Sequence, residues 1–178
     1  MKRGTFLVFE GIDGSGKSTQ LARLAARLEA AGHPVVTTRE PYDCEAGRRI
    51  RVAARGAESV STAQELAWFR AQREQHVREV IGPALGRGAV VLCDRYFLST
   101  AAYQGSRGLD PQAILAESER RFPVPDLVIL LEVDSEQGAA RLAAREAPAE
   151  PLFENAARQA AVAACFGQLE RPYLARVD

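Results

Sequence analysis

Hydrophobic positions along this chain alternate between two spacings. Thr5-Phe6-Leu7-Val8-Phe9 is a short apolar run of strand-forming residues, about as long as a buried strand. Leu21, Leu24, Ala25 and Leu28 then recur every three or four residues, which predicts a helix ending near Ala31-Gly32. Pro34 to Thr38 reads as a second strand. Ala63 to Leu85 reads mostly as one long helix, kinked at Gly82-Pro83 and stopped by Gly86 and Gly88. Ala89 to Cys93 is a third strand, and Pro111 to Arg121 a helix closed by Phe122-Pro123. Asp126 to Val133 is a fourth strand, its centre continuously apolar as a strand covered on both faces should be. Gln137 to Arg145 and Glu154 to about Leu169 read as alanine-rich helices. Such alternation predicts an α/β fold in three layers, a parallel sheet between helices.

Composition narrows the class. A length of 178 residues predicts one domain, spanning 1–178, that buries roughly two-thirds of its unfolded surface. Twenty-three acidic residues balance 23 basic ones, so there is no bulk attraction to nucleic acid or to an anionic membrane. No apolar run approaches the ~20 residues of a membrane span, and the chain enters a strand at once with no signal peptide. Cys44, Cys93 and Cys165 form no CxxC pair and, with only His33 and His76, no zinc set. Free thiols in a reducing cytoplasm are the expectation.

Chemistry enters at Gly11-Ile12-Asp13-Gly14-Ser15-Gly16-Lys17-Ser18, a complete G-x-x-x-x-G-K-[ST] phosphate-binding loop followed by Thr19. It lies between a predicted strand and a predicted helix, the context that motif requires. Backbone N–H groups can curl round a polyphosphate there, and the helix adds its positive end. The chain has only two lysines, Lys2 and Lys17, so nearly every other cation is arginine. A compact ammonium on a flexible stem suits a phosphate oxygen. Ser18 can offer its hydroxyl to Mg²⁺.

Ligands in open parallel sheets bind beyond the carboxyl ends of the strands. Three predicted strands end in tags: the loop, Arg39-Glu40-Pro41, and Asp94-Arg95-Tyr96. Parallel strands would line all three along one rim. Asp94 is then placed to help hold a nucleotide's Mg²⁺, or merely to cap the next turn. Arg39 and Arg95 are a phosphate clamp, or surface arginines paired with Glu40 and Asp94.

These motifs, together with Phe69, Arg73 and His76, Ser99-Thr100, Ala102-Tyr103-Gln104-Gly105 and Pro125-Asp126-Leu127, resemble the thymidylate kinase family of nucleoside monophosphate kinases. The resemblance covers almost the whole chain. It implies a P-loop fold with a five-stranded parallel sheet, and transfer of the γ-phosphoryl of ATP to dTMP with Mg²⁺. In the family, an aromatic ring at Phe69 stacks on thymine and Arg73 donates to a carbonyl of the base. Taken alone, that pair reads as a core Phe beside a surface Arg. By the same resemblance Arg39 meets the acceptor phosphate and Arg95 bridges donor and acceptor phosphates. Asp13 meets the deoxyribose hydroxyl. Glu40 belongs to the acceptor site, and Ser99, Thr100, Tyr103 and Gln104 close on base and sugar. Tyr103 would crowd a 2′-hydroxyl. Trp68 is expected to pack rather than bind. A homodimer through the 63–85 helix is also implied.

Some departures stand out. Family members carry an arginine in the loop, where this chain has Gly14-Ser15, or in a lid, here about 141–153. Arg145 is the expected lid cation and Arg141 the second choice. Pro151-Leu152 replace a further Asp-Arg, so the lid is cation-poor and turnover is expected to be low. Tyr42-Asp43-Cys44 follow Arg39-Glu40-Pro41 in place of glycines, which would narrow the acceptor entrance. The chain stops at Arg176-Val177-Asp178, where the family has a strand and then a closing helix, so an uncovered apolar patch is expected. Two other readings remain: a kinase for dUMP or another nucleoside monophosphate, and a nucleotide-binding regulatory protein with weak transfer.

Overall fold

The computed structural model describes residues 3–56, 60–143 and 156–178. Five strands form one parallel sheet: β1 (Phe6–Glu10), β2 (Val35–Arg39), β3 (Val90–Asp94), β4 (Leu127–Leu131) and β5 (Leu174–Val177). Their order is β2-β3-β1-β4-β5. The helices are α1 (Lys17–Ala30), α2 (Glu45–Ala54), α3 (Thr62–His76), α4 (Gly82–Gly86), α5 (Phe97–Gly105), α6 (Pro111–Arg121), α7 (Ser135–Ala143) and α8 (Ala156–Gly167).

Two-residue alternation in β1 sends its side chains to opposite faces. Phe6 and Val8 enter the larger core with Val91, Cys93, Val128, Leu130 and residues of α5, such as Leu98 and Ala101. Phe9 goes to the other face with Leu92, against Leu21 and Ala25 of α1. Each Val, Leu or Phe among these contributes about 1.5–3 kcal/mol on full burial. The α1 face is thinner: Leu7, Leu24, Leu28 and Ile129 are only half-buried there. A cavity of about 1280 Å³ runs from the phosphate loop along this face, past Leu24, Arg27, Ile129, Leu131 and Val177.

The long helix expected over 63–85 is present as continuous helical backbone from Thr62 to Gly86, with a change of hydrogen-bond register inside it. α3 ends at His76, Val77–Ile81 is a π-helical turn, and α4 follows. Pro83 has no N–H to donate back into the ladder, and the chain loosens in the turn before it rather than at Gly82-Pro83. Two helices, α2 and α5, stand where the sequence predicts no element. α2 buries only Gly47, Ile50, Ala53 and Ala54, mostly small residues among arginines. α5 is buried on every side from Phe97 to Gln104, so no polar face marks its turns. β4 is shorter at both ends than the apolar run, and the described part of α8 runs Ala156–Gly167, with Glu154 outside the described residues.

The register decides where the chemistry lies. Phe9 pairs with Asp94, and Asp94 with Arg39. The three tags therefore leave the sheet side by side on one rim.

Candidate active site

The phosphate loop runs from Gly11 into α1, whose cap, Gly16, has φ 96°. Lys17 is buried, and its Nζ donates to Ile12 O at 2.7 Å and to Ser15 Oγ at 3.4 Å. The ammonium therefore lies folded against its own loop. Burial, then the positive charge of Arg95, lowers its pKa to about 8. Ser18 Oγ donates to Asp94 Oδ2 at 2.6 Å. Asp94 Oδ1 is buried with no partner. Thr19 is exposed.

Asp13 gathers donors around the loop. Its Oδ1 accepts from Arg95 Nη2 at 2.5 Å. Its Oδ2 accepts from Gln159 Nε2 at 3.0 Å and from Tyr103 Oη at 3.2 Å. Burial pushes this carboxyl up, but Arg95 and Lys17 outweigh burial and hold it below its usual range. Arg95 also donates from Nη1 to Gly11 O and Ser99 Oγ, and lies over the Tyr103 ring at 5.2 Å.

A second polar group sits below β2. Glu40 is buried and accepts from Arg73 Nε at 3.0 Å and Arg73 Nη2 at 2.6 Å. Arg73 Nη2 also donates to Thr100 Oγ1 at 2.8 Å. His76, fully buried, contacts Glu40 Oε1 through Nδ1 at 3.2 Å and Thr38 Oγ1 through Nε2 at 2.7 Å. Burial raises the Glu40 pKa, but Arg73 and His76 reverse that and leave it lowered. The Tyr42 ring stacks on His76 with centroids 4.8 Å apart, and its backbone N–H donates to Gln72 Oε1 at 2.7 Å. The residue expected to crowd the entrance thus pins the β2–α2 loop to α3.

Within one site the structure brings together Gly11 to Ser18, Asp94, Arg95, Asp13, Ser99 and Tyr103. Arg73, Glu40 and Thr100 form the adjoining group. The Arg39 side chain is exposed, with no hydrogen bond or ion pair to the described residues. Phe69 is half-buried one helical turn before Arg73. Trp68 packs against Arg49 of α2. Glu40, Ser99 and Thr100 hold the arginines rather than point away from them. Gln104 is buried with its Nε2 on Glu65 at 3.2 Å, and Arg107 also pairs with Glu65. Arg145 lies outside the described residues. Arg141 reaches Gly14 O at 3.4 Å.

A model described as thymidylate kinase matches residues 9–175. The chain belongs to the thymidylate kinase family. A thymidylate kinase of Desulfotalea psychrophila is 39% identical over 175 residues, covering 98% of this chain and 86% of the relative. One from Akkermansia muciniphila is 41% identical over 177 residues, covering 99% and 84%. A crystal structure of thymidylate kinase from Ehrlichia chaffeensis superposes with a TM-score of 0.67 at 35% identity, over 79% of this chain and 82% of that one.

Against this thymidylate kinase frame, sequence reasoning missed Glu10 and Gln159. Glu10 stands directly before the loop motif, at the end of an apolar run, where a charged residue is rarely buried without partners. Gln159 had no signal at all, because it reaches Asp13 from 146 residues away.

Proposed function

We propose that the protein transfers the γ-phosphoryl group of ATP to the 5′-phosphate of dTMP, giving dTDP and ADP. The observation that carries this reading is the register Phe9–Asp94–Arg39, which puts the loop, Arg95 and Arg39 on one rim. Family membership supports the acceptor.

Phosphoryl transfer runs through a loose transition state whose charge spreads over peripheral oxygens, so positioned cations supply most of the catalysis. The loop N–H groups and Lys17 hold the donor phosphates. Lys17 exchanges Ile12 O and Ser15 Oγ for phosphate oxygens as it does so. Arg95 spans donor and acceptor phosphates, oriented by Asp13 and Ser99. Arg39, whose guanidinium has no partner among the described residues, takes the acceptor phosphate. Arg73 uses Nε and Nη2 on Glu40 and Thr100, which leaves Nη1 for a base carbonyl, and Phe69 offers its ring to the base. Tyr103 and Asp13 face the sugar, and Arg145 or Arg141 closes the donor side.

Ser18 and Asp94 fit Mg²⁺. The buried, partnerless Asp94 Oδ1 beside the Ser18 hydroxyl is an oxygen pair of the kind that cation takes along with phosphate oxygens and water. Among the described residues no cluster of three or more His, Cys, Asp or Glu could cage a metal by itself. When bound with ATP, Mg²⁺ neutralises charge developing on the phosphates.

The chain is one catalytic domain acting in the cytoplasm, and pairs as a homodimer through the 63–85 helix. No helix among the described residues is long and apolar enough to cross a membrane. The reading is tested by ADP release with dTMP, dUMP, dCMP, dAMP and dGMP as acceptors. The highest kcat/KM falls on dTMP if the reading is right. A higher value for any other acceptor, or nucleotide binding without transfer, refutes it.

A further inference from the structure

Glu10 is a fully buried carboxylate at the end of β1, and both of its oxygens are hydrogen-bonded. Its Oε1 accepts the backbone N–H of Tyr96 at 2.9 Å and of Ser99 at 3.0 Å. Its Oε2 accepts the Ser99 hydroxyl at 2.5 Å. Tyr96 is the cap residue of α5 and offers no side-chain cap of its own. A strand 86 residues away therefore caps this helix, satisfying N–H groups that its first turn leaves open.

What lies between the strand and that cap is Arg95. Its φ is 70°, the left-handed region, at a non-glycine residue. Such a conformation costs on the order of 1–3 kcal/mol and persists only where the surroundings hold it. Here its N–H donates to Phe9 O at 2.9 Å, and its carbonyl accepts from Cys93 Sγ at 3.1 Å. Glu10, next to Phe9, then fixes the residues on the far side, Tyr96 and Ser99.

The hydroxyl of Ser99 gives the arrangement a direction. Arg95 Nη1 can only donate, so Ser99 Oγ must accept from it at 3.0 Å. The one hydroxyl hydrogen of Ser99 is then left for Glu10 Oε2. An acceptor-only carboxylate suits that position, and an amide nitrogen does not.

We propose that Glu10 is a positioning residue for Arg95, acting through the Ser99 hydroxyl and the first turn of α5. The proposal rests on Arg95 being the bridging cation of the reaction above. It concerns the geometry of that cation and requires no contact between Glu10 and either nucleotide.

The test uses Glu10→Gln, Ser99→Ala, their double variant and Arg95→Ala, each assayed for kcat, for KM of ATP and dTMP, and for melting temperature. Glu10→Gln keeps an oxygen for the two N–H groups but presents an N–H₂ to Ser99, which strands the hydroxyl hydrogen. Its kcat should fall by about 10²-fold, as for a small misplacement of a reacting group, with KM for ATP and melting temperature near wild type. Ser99→Ala, which leaves the cap intact, should lose a similar factor. The double variant should be no worse than the poorer single, because both remove one relay. Wild-type kcat in either single variant, or losses that multiply in the double, overturns the proposal. If Arg95→Ala is inactive while both singles are normal, only the relay falls. If Arg95→Ala turns over normally, the reading of Arg95 falls with it.

Discussion

Gly14 of the phosphate loop and Gly138 of α7 meet backbone to backbone. A Cβ on Gly14 would come within 2.2 Å of the Gly138 carbonyl oxygen, and Gly14 has φ 81°. A side chain at position 14 would collide with α7, so Gly14 itself cannot be replaced by the loop arginine without moving that helix. The remaining sources are Arg141, already against Gly14 O, and the lid. Gly14→Ala should push α7 off the loop and weaken ATP binding at least ~10-fold, a loss of about 1.4 kcal/mol. Calorimetric titration with ATP checks this, and unchanged affinity would mean that α7 yields freely.

Glu40 and Arg73 form a buried ion pair, and removing one partner of such a pair typically costs about 3–5 kcal/mol. Glu40→Ala should lower stability by that order in urea unfolding. It should also raise KM for dTMP more than KM for ATP, since Arg73 loses the group that aims it. Equal changes in both constants would assign Glu40 to the core alone.

The pKa of Lys17 in the free protein, near 8, gives a pH signature. An ordinary lysine stays charged to about pH 10.4. Here the folded state gives up the proton near pH 8, so between that pH and the ordinary lysine value the group binds fewer protons folded than unfolded. For this group alone stability rises with pH between the two values, whereas affinity for ATP falls. The Kd for ATP should be level below pH 8 and climb up to about tenfold per unit above it. A level Kd through pH 9.5 would show that the ammonium is not buried as described.

Gln159 reads Asp13 twice, accepting its N–H at Oε1 and donating to its Oδ2. Gln159→Glu would set a second carboxylate against the first at neutral pH. When protonated, the new carboxyl can donate and accept as the amide does. Relative to wild type, kcat of this variant should therefore recover as pH falls from 8 to 6. Gln159→Leu should show no such recovery. Parallel pH profiles for both variants would contradict the arrangement.

How much of this was legible depends on contact distance along the chain. The loop, the strand ends and the order of elements are local patterns, and the rim they form follows from parallel strands. α5 was invisible because burial on all sides erases periodicity. The engagement of Glu40, Ser99 and Thr100 with arginines also escaped sequence reading. Glu40 and Thr100 reach Arg73 from 33 and 27 residues away, and Ser99, though only four residues from Arg95, lies on the helix that the sequence does not reveal. The role of Tyr42 as a stacking partner for His76 was hidden for the same reason, since an inserted aromatic reads equally as obstruction or as brace.

The most direct test of the account is to follow γ-labelled ATP with dTMP and Mg²⁺ in a quenched reaction and identify the labelled product. The account predicts label in dTDP, formed one-for-one with ADP. Label appearing only in inorganic phosphate, or no label leaving ATP, would contradict it.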